Sequence, residues 1–117
     1  MKNVLVTGGA GFIGSNLTRE LLKIGISVRI VDDLSSGTRE NIPEGVRFLE
    51  ADLSEISNED LCAFMKGVDT VFHLAAKARV QPSIEDPVTF NRANVDSTLS
   101  VLVAARDTGV KRFVYSA

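Results

Sequence analysis

The chain has 117 residues, 44% of them hydrophobic and 24% charged, with a formal net charge of −2; that length suits a single domain able to bury a core. The slightly acidic balance argues against a general binder of nucleic acid or anionic membrane, and one cysteine (Cys62) with one histidine (His73) excludes both an internal disulfide and a histidine/cysteine zinc site. Apolar runs are too short to span a bilayer and no signal-peptide stretch follows Met1, so a soluble cytoplasmic protein is expected.

Val4-Leu5-Val6 is a short apolar run closed by Thr7-Gly8-Gly9, and it reads as a buried strand. Ile13, Leu17, Leu21 and Ile24 then recur at helical spacing and predict one buried stripe, with Gly25 placed as a C-cap. Val28 to Val31 is a second strand ending at Asp32. Residues 33–45, rich in Ser, Gly, Pro and charge, predict a loop with at most one helical turn. Val46 to Leu49 is a third strand. Ser57, with Asp60 three residues on, resembles a capping box for a helix carrying Leu61, Phe64 and Met65, which Gly67 ends. Thr70 to Leu74 is a fourth strand. A long helix over 88–107 carries Val95, Leu99, Leu102 and Val103 on its predicted inner face and closes at Gly109, and Phe113-Val114-Tyr115 is a fifth strand.

Strands alternating with helices predict an α/β, doubly wound parallel sheet with right-handed crossovers. Continuous apolar strands fit a sheet covered on both faces. The expected strand order is 3-2-1-4-5, in one domain over 1–117 with no internal boundary. Strand five would be an open edge with no helix after it. The sheet is therefore expected to be incomplete at the C-terminus, the front portion of a larger fold, and prone to dimerise or aggregate.

Gly8, Gly11 and Gly14 stand at three-residue intervals between the first strand and the first helix. In that context the first glycine permits a tight turn, the second lets backbone approach a pyrophosphate, and the third lets the helix lie close on the sheet. The helix N-terminus then offers free N–H groups and a positive dipole end to an anion. A triphosphate P-loop would need Lys directly after Gly14, where Ser15 stands. Asp32, eighteen residues after Gly14, is at the right remove to accept from the ribose hydroxyls of a dinucleotide. Its charge favours NAD over NADP, with Arg39 nearby as a partial offset. Asp32 and Asp33 opening a plain turn is the alternative.

With TGGAGFIG, VDDLSSG, ADL, HLAA and FVYSA in that order, the chain resembles the extended short-chain dehydrogenase/reductase family over its whole length, within it the NAD-dependent sugar-nucleotide epimerases and dehydratases. The resemblance implies a Rossmann fold and NAD as cofactor. It implies that backbone at Phe12 and Ile13 meets the pyrophosphate, and that Asp33, Ser36 and Gly37 line the adenosine ribose. It places Asp52 and Leu53 beside the adenine, with Leu74, Ala75 and Ala76 beneath the middle of the cofactor, and it makes Asn94 a residue that steadies the cofactor or the fourth strand. Asp52 starting a helix and Asn94 as a surface residue stay open as alternatives. His73 is read as structural, Lys77 as solvated and Cys62 as an ordinary small apolar residue. Arg79, Gln81 and Ser83 follow strand four, either near a substrate or in a plain surface loop.

The same resemblance implies hydride transfer between NAD and a carbon of a sugar nucleotide, a UDP-sugar by the nearest likeness, assisted by a Tyr-x-x-x-Lys pair. The lysine charge would lower the tyrosine pKa. These 117 residues contain one tyrosine, Tyr115, and no such pair. No catalytic residue or metal ligand is assigned, and no turnover is expected from the chain alone. A stand-alone dinucleotide-binding module and another NAD-dependent reductase of the same family remain alternatives.

Overall fold

A computed structural model describes residues 1–75 and 87–116. Strand β1 (Asn3–Thr7) leads into helix α1 (Phe12–Lys23) and strand β2 (Ser27–Asp32). A 3-10 turn (Arg39–Asn41) precedes β3 (Arg47–Glu50), followed by α2 (Asn58–Met65) and β4 (Thr70–His73). Helix α3 (Pro87–Thr108) and β5 (Arg112–Tyr115) complete the order. The five strands form one sheet in the order β3-β2-β1-β4-β5, with every pairing parallel.

The strands read as continuous apolar runs because successive side chains enter opposite faces, both covered. Leu5, Val31 and Val71 point to one face, where they meet Leu61 and Met65 of α2 and Val101, Ala104 and Ala105 of α3. Val4, Val6, Val28 and Ile30 point to the other, against Leu21 of α1. The crossover order is therefore doubly wound, with the strand order reversing beside β1. Ser57 caps α2 as its sequence suggests, its side chain accepting from the Asp60 amide at 3.1 Å. No helix among the described residues is long and apolar enough to cross a membrane.

Two predicted helix faces are corrected. On α1 the buried residues are Gly14, Ser15, Thr18 and Leu21, whereas Ile13 and Ile24 are 69% and 71% exposed. The first turn must tuck under the glycine loop, which admits only small residues, and the hydroxyls of Ser15 and Thr18 are satisfied by the carbonyls of Phe12 and Gly14. On α3 the buried face is Val101, Ala104 and Ala105, while Val95, Leu99 and Leu102 face outward. Alanines let α3 pack close to α2 and the sheet, and the bulkier residues are displaced to the outer side.

Candidate functional site

A cleft of about 440 Å³ opens at the carboxyl ends of the strands, where the order reverses. That is where open α/β sheets bind ligands. Its walls bring together Gly8, Gly11, Phe12, Ile13 and Gly14 from the first crossover, Asp32, Asp33 and Ser36 after β2, Asp52 and Leu53 after β3, Leu74 and Ala75 after β4, and Asn94 on α3. These residues are scattered over the sequence and meet only because parallel strands end on the same edge. Ala76, Lys77, Arg79, Gln81 and Ser83 lie outside the described residues.

The three glycines of the loop differ in what constrains them. Gly8 has φ +72°, in the left-handed region that disfavours a side chain. A Cβ on Gly14 would lie 2.3 Å from the Gly8 carbonyl oxygen, so the third glycine is fixed by the fold itself. At Gly11 the nearest atom to such a Cβ is that same oxygen at 3.4 Å. A side chain there would be tolerated by the protein and would enter the cleft instead. Gly11 is also the N-cap of α1, which has no side-chain cap and no acidic residue in its first turn. Helix α2, by contrast, has Ser57 as cap and Glu59 and Asp60 in its first turn. Among the described residues, the start of α1 therefore presents amides and a positive dipole end to the cleft with no acidic side chain on them, a cradle of the shape and charge a diphosphate needs.

Asp32 is 8% exposed at the end of β2. Its Oδ2 accepts from the Ala10 amide at 2.9 Å and its Oδ1 from the Leu34 amide at 2.7 Å. The carboxylate thus braces the glycine loop and holds Leu34 in a left-handed conformation, φ 62°. Each ionised oxygen takes up to two donors, so these bonds leave acceptor capacity toward the cleft. Asp33 accepts from the Ser35 amide at 3.0 Å. Asp52 accepts from both the amide and the hydroxyl of Ser54 at 2.9 and 2.6 Å while also lining the cleft, so its turn-forming and wall positions coincide. Gly37 stands one layer back, where a Cβ would lie 2.4 Å from the Ala10 carbonyl oxygen. That carbonyl accepts from the Thr38 amide and the Asn41 side chain, which lock the 33–41 loop behind the glycine loop. Arg39 is paired with Glu50 and stacks over the Phe48 ring, 5.2 Å from its centroid.

Sequence reasoning missed Val31, Ser35, Ala51, Ser97 and Ser116, which also line the cleft. Ser97 lies three residues after Asn94, one helical turn along the same face, a signal that could have found it. Ser116 follows β5 and reaches the site only because β5 pairs with β4. His73 is buried at the end of β4, with Nδ1 2.7 Å from the Thr7 hydroxyl and Nε2 3.1 Å from the Thr98 hydroxyl. Burial alone pushes its pKa down to about 4.

The NAD dependent epimerase/dehydratase family model matches residues 4–117. A UDP-glucose 4-epimerase of Corynebacterium glutamicum is 39% identical over 97% of this chain and 34% of its own length. A UDP-glucose 4-epimerase of Thermotoga maritima, solved with UDP-glucose, superposes with a TM-score of 0.91 at 38% identity over 98% of this chain and 37% of that one. One from Thermus thermophilus, solved with NAD, gives a TM-score of 0.85 at 42% identity over 95% and 36%. The chain spans about a third of the length of the relatives it matches.

Proposed function

Because the chain belongs to the NAD-dependent epimerase/dehydratase family, we propose that its cleft binds NAD and that it forms the cofactor-binding part of a UDP-glucose 4-epimerase-like enzyme acting on a UDP-sugar. The observation that carries this is the uncapped start of α1, opened by Gly11 and flanked by the Asp32 carboxylate. The amides of the first turn of α1 would hold the diphosphate. Asp32, with Asp33 and Ser36, would accept from the adenosine ribose, and its charge would repel a 2′-phosphate. Arg39, the partial offset to that charge, is paired with Glu50 in an exposed ion pair. Asp52 and Leu53 would flank the adenine, and Leu74 and Ala75 would form the floor beneath the middle of the cofactor. When bound, NAD supplies a reversible two-electron oxidation of a sugar carbon.

The 117 residues contain no tyrosine followed four positions later by lysine. The part proposed for them is holding the cofactor, without epimerase turnover of their own. Cofactor content tests the reading: denatured protein is analysed by mass spectrometry, and refolded protein is titrated with NAD. Bound or titratable NAD is expected, together with no interconversion of UDP-galactose and UDP-glucose. A folded chain that ignores NAD refutes the cofactor assignment; turnover above a heat-killed control refutes the division of labour. Among the described residues, Val95, Leu99 and Leu102 face outward and β5 stands last in the sheet order. Association into dimers or larger species is part of the same proposal.

A further inference from the structure

The Thr7 hydroxyl oxygen receives the Ala75 amide at 3.1 Å and the Leu74 amide at 3.0 Å, the latter shared with the Thr7 carbonyl at 3.2 Å. Those two donors occupy its lone pairs, so its own proton must be donated to His73 Nδ1, 2.7 Å away. Nδ1 is therefore bare and the ring proton sits on Nε2, where it is donated to the Thr98 hydroxyl at 3.1 Å. The hydrogen bonds run in one direction, from the amides at the cleft floor through Thr7 and His73 to α3. Chains aligned in this way strengthen one another in a buried setting.

We propose that His73 is a positioning residue for the cofactor: held as its Nε2–H tautomer between Thr7 and Thr98, it fixes the height of α3, and with it Asn94 and Ser97, over the floor at Leu74 and Ala75. Thr98 follows Ser97 directly and lies one turn beyond Asn94, and both neighbours line the cleft. His73 is 2% exposed, and its ring is flanked by Phe113 and Tyr115 at centroid distances of 6.0 and 5.8 Å. Burial keeps the ring neutral at neutral pH. A neutral ring of fixed tautomer has one donor and one acceptor, which match Thr98 and Thr7 in only one order. The positioning role rests on the cofactor reading above; the hydrogen-bond chain does not.

Two measurements test it. The chain holds a single histidine, so nitrogen-15 NMR of histidine-labelled protein reports this ring alone. A protonated Nε2 and a bare Nδ1 are expected, and a protonated Nδ1 overturns the proposal. NAD is then titrated into wild type, Thr98→Val and Thr98→Ser. Loss of one neutral hydrogen bond predicts binding about three- to tenfold weaker in Thr98→Val, with Thr98→Ser restored to within about twofold of wild type. A role in stability alone would lower the melting temperature of Thr98→Val but leave the dissociation constant of the folded protein unchanged, and that result overturns the proposal. If wild type itself fails to bind NAD, the cofactor reading falls and positioning falls with it, while the NMR spectrum still decides the tautomer.

Discussion

Replacing Asp32 with alanine removes two acceptors from backbone before any ligand is considered. The Ala10 amide, in a residue with no exposed surface, loses its 2.9 Å partner, and the Leu34 amide loses one at 2.7 Å. A hydrogen bond to a charged group contributes about 1.5–3 kcal/mol, with the larger loss where the abandoned donor cannot reach water. Leu34 is only partly buried and can recruit solvent, so the Ala10 amide dominates. The apo protein should lose about 2–4 kcal/mol of stability. Loss of the ribose contacts should separately weaken NAD by about 1–3 kcal/mol, or roughly 5- to 150-fold. Urea unfolding followed by circular dichroism measures the first effect. Isothermal titration at a temperature where the variant is still folded measures the second. Unchanged stability would refute the bracing of the glycine loop, and equal dissociation constants would refute the ribose role.

The second and third glycines of the loop should separate binding from fold. Gly14→Ala forces a Cβ to 2.3 Å from a backbone oxygen and should destabilise the chain by more than about 2 kcal/mol. Gly11→Ala should melt within a few degrees of wild type yet bind NAD at least about tenfold more weakly; the reverse ranking would contradict the assignment. Stability should also fall on acidification. His73 titrates at about 4 when folded against 6.5 when free, so between those values the unfolded chain takes up a proton that the folded one refuses. The loss should begin near pH 6.5, reach about 2 kcal/mol by pH 5, and level off below about 4. Asp69, held down to about 2 by the Asn3 amide and the Thr70 hydroxyl, stabilises above its free value of 3.8 and loses that contribution only as pH falls further. Urea melts of wild type and His73→Phe across this range check it, because the slope above pH 4.5 should vanish in the variant. Sedimentation should show dimers or larger species, and a clean monomer at high concentration would remove the argument from the exposed face of α3 and the edge of β5.

The alternation of strands and helices and the glycine loop were legible in the sequence because each rests on local periodicity or on glycines at fixed offsets, and the strand order followed from that alternation through the right-handed crossover rule. Asp32 was legible for the same reason, as an acid at a set distance beyond a strand–turn–helix unit. The helix faces were not. Ile13 and Leu99 look like core by size, yet only the packing distance to the sheet decides whether a bulky residue or an alanine turns inward, and close packing chose Gly14, Thr18 and Ala104. Long-range partners were equally hidden. Nothing near His73 in the chain announces Thr7 or Thr98, sixty-six residues before and twenty-five after it, nor does Asp32 announce that its carboxylate is tied to Ala10. The sequence by itself determined which elements form and where an anion can be cradled. Tertiary structure decided which side chains close the cleft and in which direction their hydrogen bonds run, because those depend on strand ends brought side by side by parallel pairing rather than on neighbours along the chain.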